Sequence, residues 1–284
     1  NIKNITPVKI SKPHNADVCS PWDLEKIATV ECINQEDVDS ILDVADKAFN
    51  DELKYLDKIK RLEILNNAKK ILENRSSDFA EIISTEGGKP LKDSIIEVER
   101  AINGLELCAE ALKKSHGTEI PMGINIASEN KIAFTKQFPI GPVLAISAFN
   151  HPLNLIVHQV GPAIAAGCPI IIKPALVTPC TCYEFVNLLI EAGLPNEFCQ
   201  MININNHSIT QNLVSDSRIA FFSFIGSSSI GWKLKSMLSP GTKCALEHGG
   251  VASVIIDQNT NLKEILPSIL RGSFYHAGQV CVSI

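Results

Sequence analysis

Apolar residues recur at helical spacing through most of the first 115 residues of the chain. One such pattern (Val38, Ile41, Leu42, Ala45 and Phe49) predicts a helix over residues 34–50. The same spacing predicts three further helices, at about 58–74, 77–85 and 91–114, and the helix at 77–85 stops at Gly87-Gly88-Lys89-Pro90. Residues 1–33 lack this period and are expected to be irregular with short strands.

The pattern changes after residue 116. Two stretches of strand-forming residues, 117–121 and 131–138, flank a turn around Ser128-Glu129-Asn130 and predict a hairpin. From residue 142 onward, short apolar strands alternate with helices. The predicted strands are 143–146, 169–173, 200–203, 219–225 and 243–247, and the predicted helices are 153–166, 181–192, 209–215 and 229–237. This alternation predicts an α/β fold with a doubly wound, Rossmann-like parallel sheet covered on both faces.

Composition narrows the class of protein. The 284 residues are 45% hydrophobic and 20% charged, enough for a substantial core. The net charge is −5 and no Lys/Arg block stands out, so neither nucleic acid nor a membrane surface is an expected partner. Nine cysteines, an odd number, and no apolar leader at the start favour reduced thiols and a cytoplasmic protein.

Three residues could share one reaction. Cys281 follows Gly278-Gln279, Glu247 precedes Gly249-Gly250, and Asn150 lies before Pro152 at the end of a predicted strand. A thiol can attack an aldehyde carbonyl, an amide can donate to the resulting oxyanion, and a carboxylate can activate water. We expect Glu247 to be partly shielded from water, which makes a carboxylate a stronger base. The alternatives are a buried structural cysteine for Cys281 and a helix cap for Asn150.

A second group of residues suits a dinucleotide. Lys173 ends an apolar strand at the edge where open α/β sheets bind ligands, and its ammonium could bond ribose hydroxyls. The Gly226-Ser227 turn opens a helix that contains Gly231, so backbone N–H groups there could bind a pyrophosphate. The turn is neither G-x-G-x-x-G nor a P-loop. A solvated lysine and a simple Gly/Ser helix start remain the alternatives.

Taken together, these motifs resemble those of the aldehyde dehydrogenase superfamily. They are Glu86-Gly87-Gly88-Lys89-Pro90-Leu91, Phe149-Asn150-His151-Pro152-Leu153, Ile172-Lys173-Pro174-Ala175, Phe224-Ile225-Gly226-Ser227, Leu246-Glu247-His248-Gly249-Gly250 and Gly278-Gln279-Val280-Cys281. The segments 149–160 and 277–283 look most like the lactaldehyde, phosphonoacetaldehyde and non-phosphorylating glyceraldehyde-phosphate branch.

The resemblance implies specific roles. Cys281 would be the nucleophile and Glu247 the base, and Asn150 would form the oxyanion hole with the backbone N–H of Cys281. Lys173 would contact the adenosine ribose and Ser227 the pyrophosphate. The remaining residues implied at the cofactor come from the same motifs: Phe149, Ala175, Leu176, Gly226, Gly231 and Gly249. The implied cofactor is NAD or NADP, the substrate an aldehyde, and the assembly a homodimer or homotetramer.

Three substitutions depart from the family pattern. Phe149 stands where a Trp is common, which puts one pyrophosphate contact in doubt, and His248 replaces a usual Leu. Leu176 replaces a Glu that NAD-preferring members often carry. Without that carboxylate nothing repels a 2′-phosphate, so NADP also becomes a candidate.

The resemblance also implies a domain organisation. Residues 1–116 and 139–247 would form the dinucleotide-binding domain, 117–138 a protruding oligomerisation hairpin, and 248–284 the beginning of a second α/β catalytic domain that includes an apolar strand at 251–256. The family continues past the cysteine. Residues 1–284 alone are therefore expected to be poorly soluble and inactive, and to belong to a longer protein.

Two other functions compete with the oxidation of an aldehyde. The chain could bind dinucleotide, or pack with a partner, without turnover. It could also be a cysteine hydrolase or acyltransferase, although no His has an evident place beside Cys281. No metal site is predicted, because Cys180-Thr181-Cys182 has no second ligand pair at zinc spacing.

Overall fold

A computed structural model describes residues 1–51 and 56–284. The N-terminal region is helical after a first antiparallel hairpin of β1 (His14–Cys19) and β2 (Lys26–Cys32). The helices are α1 (Val38–Asn50, after a 3₁₀ turn at Gln35–Asp37), α2 (Lys58–Asn74), α3 (Ser76–Gly87) and α4 (Leu91–Lys114). The predicted bounds of α2 and α4 are confirmed to the residue.

The predicted hairpin at 117–138 forms, but with very short strands. Only β3 (Glu119–Ile120) and β4 (Ala133–Phe134) pair, and a 3₁₀ turn at Ile126–Ser128 lies between them. The apolar side chains of this hairpin are exposed, among them Ile126 and Ile132. Strand pairing stops early here because no burial of a common face stabilises the remaining residues.

Five parallel strands form the central sheet. They are β5 (Val143–Ile146), β6 (Ile170–Lys173), β7 (Cys199–Met201), β8 (Phe221–Gly226) and β9 (Lys243–His248), in the order β7-β6-β5-β8-β9. The connecting helices are α5 (Asn154–Ala166), α6 (Pro179–Glu191), α7 (His207–Ser215) and α8 (Ser228–Lys235). The predicted doubly wound, Rossmann-like α/β fold is confirmed.

The two faces of the sheet bury separate cores. Val143 and Ala145 belong to one core together with residues of α2 to α6, whereas Leu144 and Ile146 belong to the other together with residues of α1, α7 and α8. This division follows from the alternation of side chains along a strand. It explains why β5 is apolar at every position: helices cover both of its faces.

The region after β9 differs from the prediction of an apolar strand at 251–256. That stretch forms no strand, and Val251 and Ile255 are 96% and 94% exposed. A strand needs a hydrogen-bonding neighbour, and none of the described residues provides one. Helix α9 (Leu262–Phe274) follows, and a 3₁₀ turn at Tyr275–Gly278 leads to Cys281.

Candidate active site

The candidate residues lie at one edge of the central sheet. Lys173 is the last residue of β6, Gly226 the last of β8, and Glu247 the penultimate residue of β9. Asn150 follows β5 by four residues. Because the strands are parallel, their carboxyl ends meet at the same edge, and the sheet reverses its winding direction at β5. This edge is where open α/β sheets bind ligands.

Asn150 contacts the segment that carries the cysteine. Its side-chain Nδ2 donates a hydrogen bond to the backbone carbonyl of Gln279 at 2.8 Å, two residues before Cys281. A side-chain amide has two N–H donors, so one of them stays available for a second acceptor. Its Oδ1 is buried without a partner among the described residues.

The alternative role of Asn150 as a cap of α5 is wrong. The backbone amides of Leu153 and Asn154 at the start of that helix donate instead to Oε1 of Glu97, at 2.9 and 3.1 Å. A carboxylate at a helix N-terminus satisfies free N–H groups and also favours the positive end of the helix dipole. The side chain of Asn150 is therefore not needed to begin the helix.

The cysteine segment turns sharply before it reaches Asn150. Three consecutive residues have positive φ: His276 (49°), Ala277 (55°) and Gly278 (74°). Residues other than glycine rarely adopt this conformation, which suggests that the turn serves the placement of residues 279–281. Cys281 is exposed among the described residues, unlike a buried structural thiol. Gly250 lies close to it, since a Cβ added there would be 3.6 Å from the Cys281 carbonyl.

The expectation that Glu247 is shielded from water is wrong for this structure. Glu247 lies in β9, the edge strand of the sheet, and is exposed. The glycines that follow it carry no side chains to cover it. Its strand borders a mostly apolar cavity of about 380 Å³, lined by Glu247, Gln159, Ser223, Ile225 and Ala245 among others.

Lys173 is not a fully solvated lysine. Its side chain is half-buried at the end of β6, and burial lowers the pKa of its ammonium to about 8. Its Nζ donates to the neighbouring carbonyl of Pro174 at 3.3 Å, and no carboxylate of the described residues forms an ion pair with it. A partly desolvated cation with spare donors at this edge can bind a hydroxyl-rich ligand.

The turn after β8 leaves a helix start open. Ser227 is the N-cap residue of α8 and forms no side-chain cap bond, and Ser227 to Ile230 are exposed. Beside this turn, the ring of His248 packs edge-on against Phe224 and Trp232. A Cβ at Gly231 would lie 2.0 Å from Nε2 of His248, so the glycine is required for this packing.

The other predicted cofactor residues flank the same edge. Ala175 and Leu176 follow Lys173 and are half-buried, whereas Phe149 and Gly249 are exposed. Their positions agree with a ligand groove along the strand ends, but no contact among the described residues tests their roles.

Sequence reasoning missed a buried ionic cluster behind Asn150. Lys89 and Glu97 are each only 2% exposed and form an ion pair. The Lys89 ammonium also contacts Nδ1 of His151 at 2.9 Å. The ring of His151 stacks on Tyr275, with centroids 6.1 Å apart. The position of Glu97 within the apolar stripe of α4 is the sequence signal that could have found the cluster.

The described residues give no sign of a metal centre or of a membrane helix. They contain no group of three or more His, Cys, Asp or Glu side chains suited to a metal ion. Burial raises the pKa of the thiols of Cys180 and Cys182, which favours their protonated form. No helix in this part of the chain is long and apolar enough to cross a membrane.

Comparison with known proteins identifies relatives across nearly the whole chain. Residues 8–284 match the aldehyde dehydrogenase family. The chain is 34% identical over 268 residues to 3-sulfolactaldehyde dehydrogenase of Priestia aryabhattai, covering 94% of this chain and 55% of that protein. It is 32% identical over 272 residues to lactaldehyde dehydrogenase of Methanocaldococcus jannaschii, covering 94% of this chain and 57% of that protein.

A solved structure is also similar to this chain. The crystal structure of glyceraldehyde-3-phosphate dehydrogenase GapN from Methanocaldococcus jannaschii, complexed with NADP, superimposes with a TM-score of 0.89 at 31% identity. The superposition covers 97% of this chain and 59% of that one. The chain thus spans somewhat more than half the length of the relatives that it matches.

Proposed function

Because this chain belongs to the aldehyde dehydrogenase family, we propose that its protein oxidises an aldehyde to the carboxylic acid, with NAD or NADP as the hydride acceptor. The observation that carries this proposal is the hydrogen bond from Asn150 to the Gln279 carbonyl. It brings an amide donor from the end of β5 to the segment of an exposed cysteine.

Each of the three residues has one step in the proposed cycle. The Cys281 thiolate adds to the aldehyde carbon, and the second N–H of the Asn150 side chain, with the backbone N–H of Cys281, stabilises the oxyanion. Loss of hydride from that carbon leaves a thioester on Cys281. Glu247 removes a proton from water, which attacks the thioester, and the carboxylic acid leaves as the thiol is restored.

The residues at the strand ends fit a nicotinamide dinucleotide. The first turn of α8 after Gly226 has exposed amides without a side-chain cap, which suits a pyrophosphate. The half-buried ammonium of Lys173 has donors to spare for ribose hydroxyls. When bound, the cofactor accepts the hydride that leaves the substrate carbon. Phe149, Ala175, Leu176, Gly231 and Gly249 complete the proposed cofactor groove.

The choice between the two cofactors turns on Leu176. An apolar side chain at this position neither accepts bonds from the ribose diol nor repels a 2′-phosphate. We therefore propose that the protein accepts NADP as well as NAD. The NADP in the crystal structure of GapN, a relative at 31% identity, supports this proposal.

The names of the relatives support a class of substrate. Two of them are dehydrogenases of lactaldehyde and of 3-sulfolactaldehyde. We propose that the substrate is a short aldehyde of this kind, with a hydroxyl group beside the carbonyl.

The hairpin at 117–138 is proposed to join subunits of a homodimer or homotetramer, which is supported by its exposed apolar side chains. Residues 1–116 and 139–247 are proposed as the dinucleotide-binding domain, and 248–284 as part of the catalytic domain.

A second candidate function is dinucleotide binding without turnover by residues 1–284 alone. The exposure of both Glu247 and Cys281 supports it, because a site closed to bulk water strengthens the electrostatic interactions on which such chemistry depends. The proposal for the complete protein is not affected by it.

One experiment tests both candidates. The complete protein and residues 1–284 are assayed with NAD and NADP against lactaldehyde, 3-sulfolactaldehyde, succinic semialdehyde and propanal, with reduced cofactor followed by absorbance. We expect the complete protein to oxidise at least one hydroxyaldehyde with either cofactor. Binding of cofactor by the complete protein, with no oxidation of any aldehyde, would contradict the proposal.

A further inference from the structure

We propose that Glu97, acting with Lys89 and His151, is a positioning residue that holds the Asn150 oxyanion donor against the cysteine segment. This inference rests on the proposed function and adds to it a set of buried residues that act through Asn150. The three side chains come from the α3–α4 connection, from α4 and from the turn after β5.

Glu97 fixes the chain on the carboxyl side of Asn150. Its Oε1 accepts the backbone amides of Leu153 and Asn154, three and four residues after Asn150. Both amides belong to the first turn of α5, and their partner comes from another helix. The position of this turn relative to α4 is therefore set by a buried carboxylate.

Lys89 links the Glu97 carboxylate to the side chain of His151. Its ammonium bonds the other oxygen of Glu97 and lies 2.9 Å from Nδ1 of His151. The same Nδ1 also lies 3.4 Å from that oxygen of Glu97, so the three side chains contact one another. Two hydrogen-bonded partners thus hold the backbone on both sides of Pro152.

The cluster also contacts the cysteine segment. The His151 ring stacks on Tyr275 at 6.1 Å between centroids, just before the strained turn at 276–278. Asn150 bonds the carbonyl of Gln279 on the far side of that turn. Residues 150 and 151 therefore bind the cysteine segment at two points, one on each side of the turn. Loss of the Glu97 anchor would let both contacts shift together.

The chain offers a matched control for this inference. Glu86 is equally buried and has the same task at another helix, accepting the amides of Cys180 and Thr181 at 2.7 and 3.0 Å at the start of α6. It contacts neither Asn150 nor the cysteine segment among the described residues. A variant at Glu86 measures the structural cost of losing a buried helix cap without moving the oxyanion donor.

The test compares Glu97→Gln and Glu86→Gln in the complete protein, each alone and combined with Asn150→Ala. Turnover is measured per folded molecule, and cofactor dissociation constants and thermal midpoints are measured in parallel. A displacement of about 1 Å at a reacting group costs about 100-fold in rate. We expect Glu97→Gln to lower kcat by about this factor, with an unchanged cofactor dissociation constant, and Glu86→Gln to leave kcat near that of the parent.

The decisive comparison is in the Asn150→Ala background. There Glu97→Gln should lower kcat no further, because the donor it positions is already gone. Losses that multiply, or an equal loss of kcat in Glu86→Gln, would assign Glu97 a structural role only and overturn the inference. If Glu97→Gln does not fold, His151→Phe replaces it, since that change keeps an aromatic ring against Tyr275 but removes the Nδ1 contacts with Lys89 and Glu97. Absence of aldehyde oxidation in the parent would instead count against the proposed function.

Discussion

The substitution Asn150→Ala separates catalysis from stability, because the structure assigns the two effects to different groups. In the proposed cycle the side-chain amide supplies one preorganised donor to the oxyanion. Removing one such donor costs about 10²–10³ in turnover, or about 2.7–4 kcal/mol in the transition state. We therefore expect kcat to fall by two to three orders of magnitude.

The expected loss of folding stability is smaller. The change removes a neutral hydrogen bond of 2.8 Å to the Gln279 carbonyl, and such a bond contributes about 0.5–1.5 kcal/mol. It also removes the buried Oδ1 that has no partner among the described residues, which offsets part of that loss. No cap is lost, since Glu97 binds the first amides of α5.

The assay measures kcat, the stopped-flow rate of cofactor reduction and the thermal midpoint of the complete protein. Asn154→Ala is the control, because this asparagine is the first residue of α5, four positions after Asn150, and its side-chain Oδ1 is likewise buried and unpartnered among the described residues. The control should keep the parental kcat. If Asn150→Ala loses stability but keeps its turnover per folded molecule, the residue has a structural role and the oxyanion assignment fails.

Three further outcomes are expected for the complete protein. Cys281→Ala should abolish aldehyde oxidation while cofactor binding, measured by fluorescence quenching, persists; turnover close to the parental value would remove Cys281 as the nucleophile. Glu247→Gln should slow hydrolysis of the thioester more than its formation. A burst of reduced cofactor should then appear or grow in pre-steady-state measurements. Loss of the burst would instead assign Glu247 to thiol activation. Because burial lowers the pKa of Lys173 to about 8, its ammonium is protonated below that pH and loses its proton above it. Dinucleotide binding should therefore weaken as the pH rises through 8. The variant Lys173→Arg stays charged and should remove that dependence. An unchanged pH profile in the arginine variant would mean that Lys173 does not contact the ribose.

The elements that sequence reasoning predicted well are those whose periodicity is set by burial. Helix α2 (Lys58–Asn74) buries one stripe against the core, and its predicted bounds agree with the structure. The strand Val143–Ile146 is apolar throughout because both faces of the sheet are covered, and this was also predicted. In both cases burial repeats regularly along the element, so the spacing of apolar residues in the sequence predicts the element.

The elements that were predicted poorly depend on partners elsewhere. Residues 251–256 have the composition of a buried strand but form none, because strand pairing requires a neighbour as well as a pattern. The hairpin at 117–138 forms only two pairs of residues for a related reason. The exposure of Glu247 has the same origin, since no described residue covers the face of the edge strand β9 that carries Glu247.

The site itself could be predicted only in part. Short motifs identified Asn150, Glu247 and Cys281, but their arrangement could not be read from spacing, because the bond from Asn150 to Gln279 joins residues 129 positions apart. Glu97 could have been suspected from its place beside Val98 and Ala101 on the buried stripe of α4. A carboxylate on such a stripe must be paired or hydrogen-bonded. The sequence, however, does not identify its partner, the backbone amide of Leu153, which lies 56 positions further along the chain.

The caps of the helices at the ligand edge also bear on where a pyrophosphate would bind. Four helices, α5 to α8, follow the strands β5 to β8 of the central sheet, and each start is a potential anion site. At three of these helix starts, a side chain of the protein already accepts hydrogen bonds from the first backbone amides. Glu97 does so at α5, Glu86 at α6 and Asn206 at α7.

Only the start of α8, after Ser227, has no side-chain cap among the described residues. A buried carboxylate on the first amides repels a phosphate as well as occupying its donors. Among these four helices, α8 therefore has the start best suited to the proposed pyrophosphate, and it follows β8, which lies between β5 and β9 in the sheet.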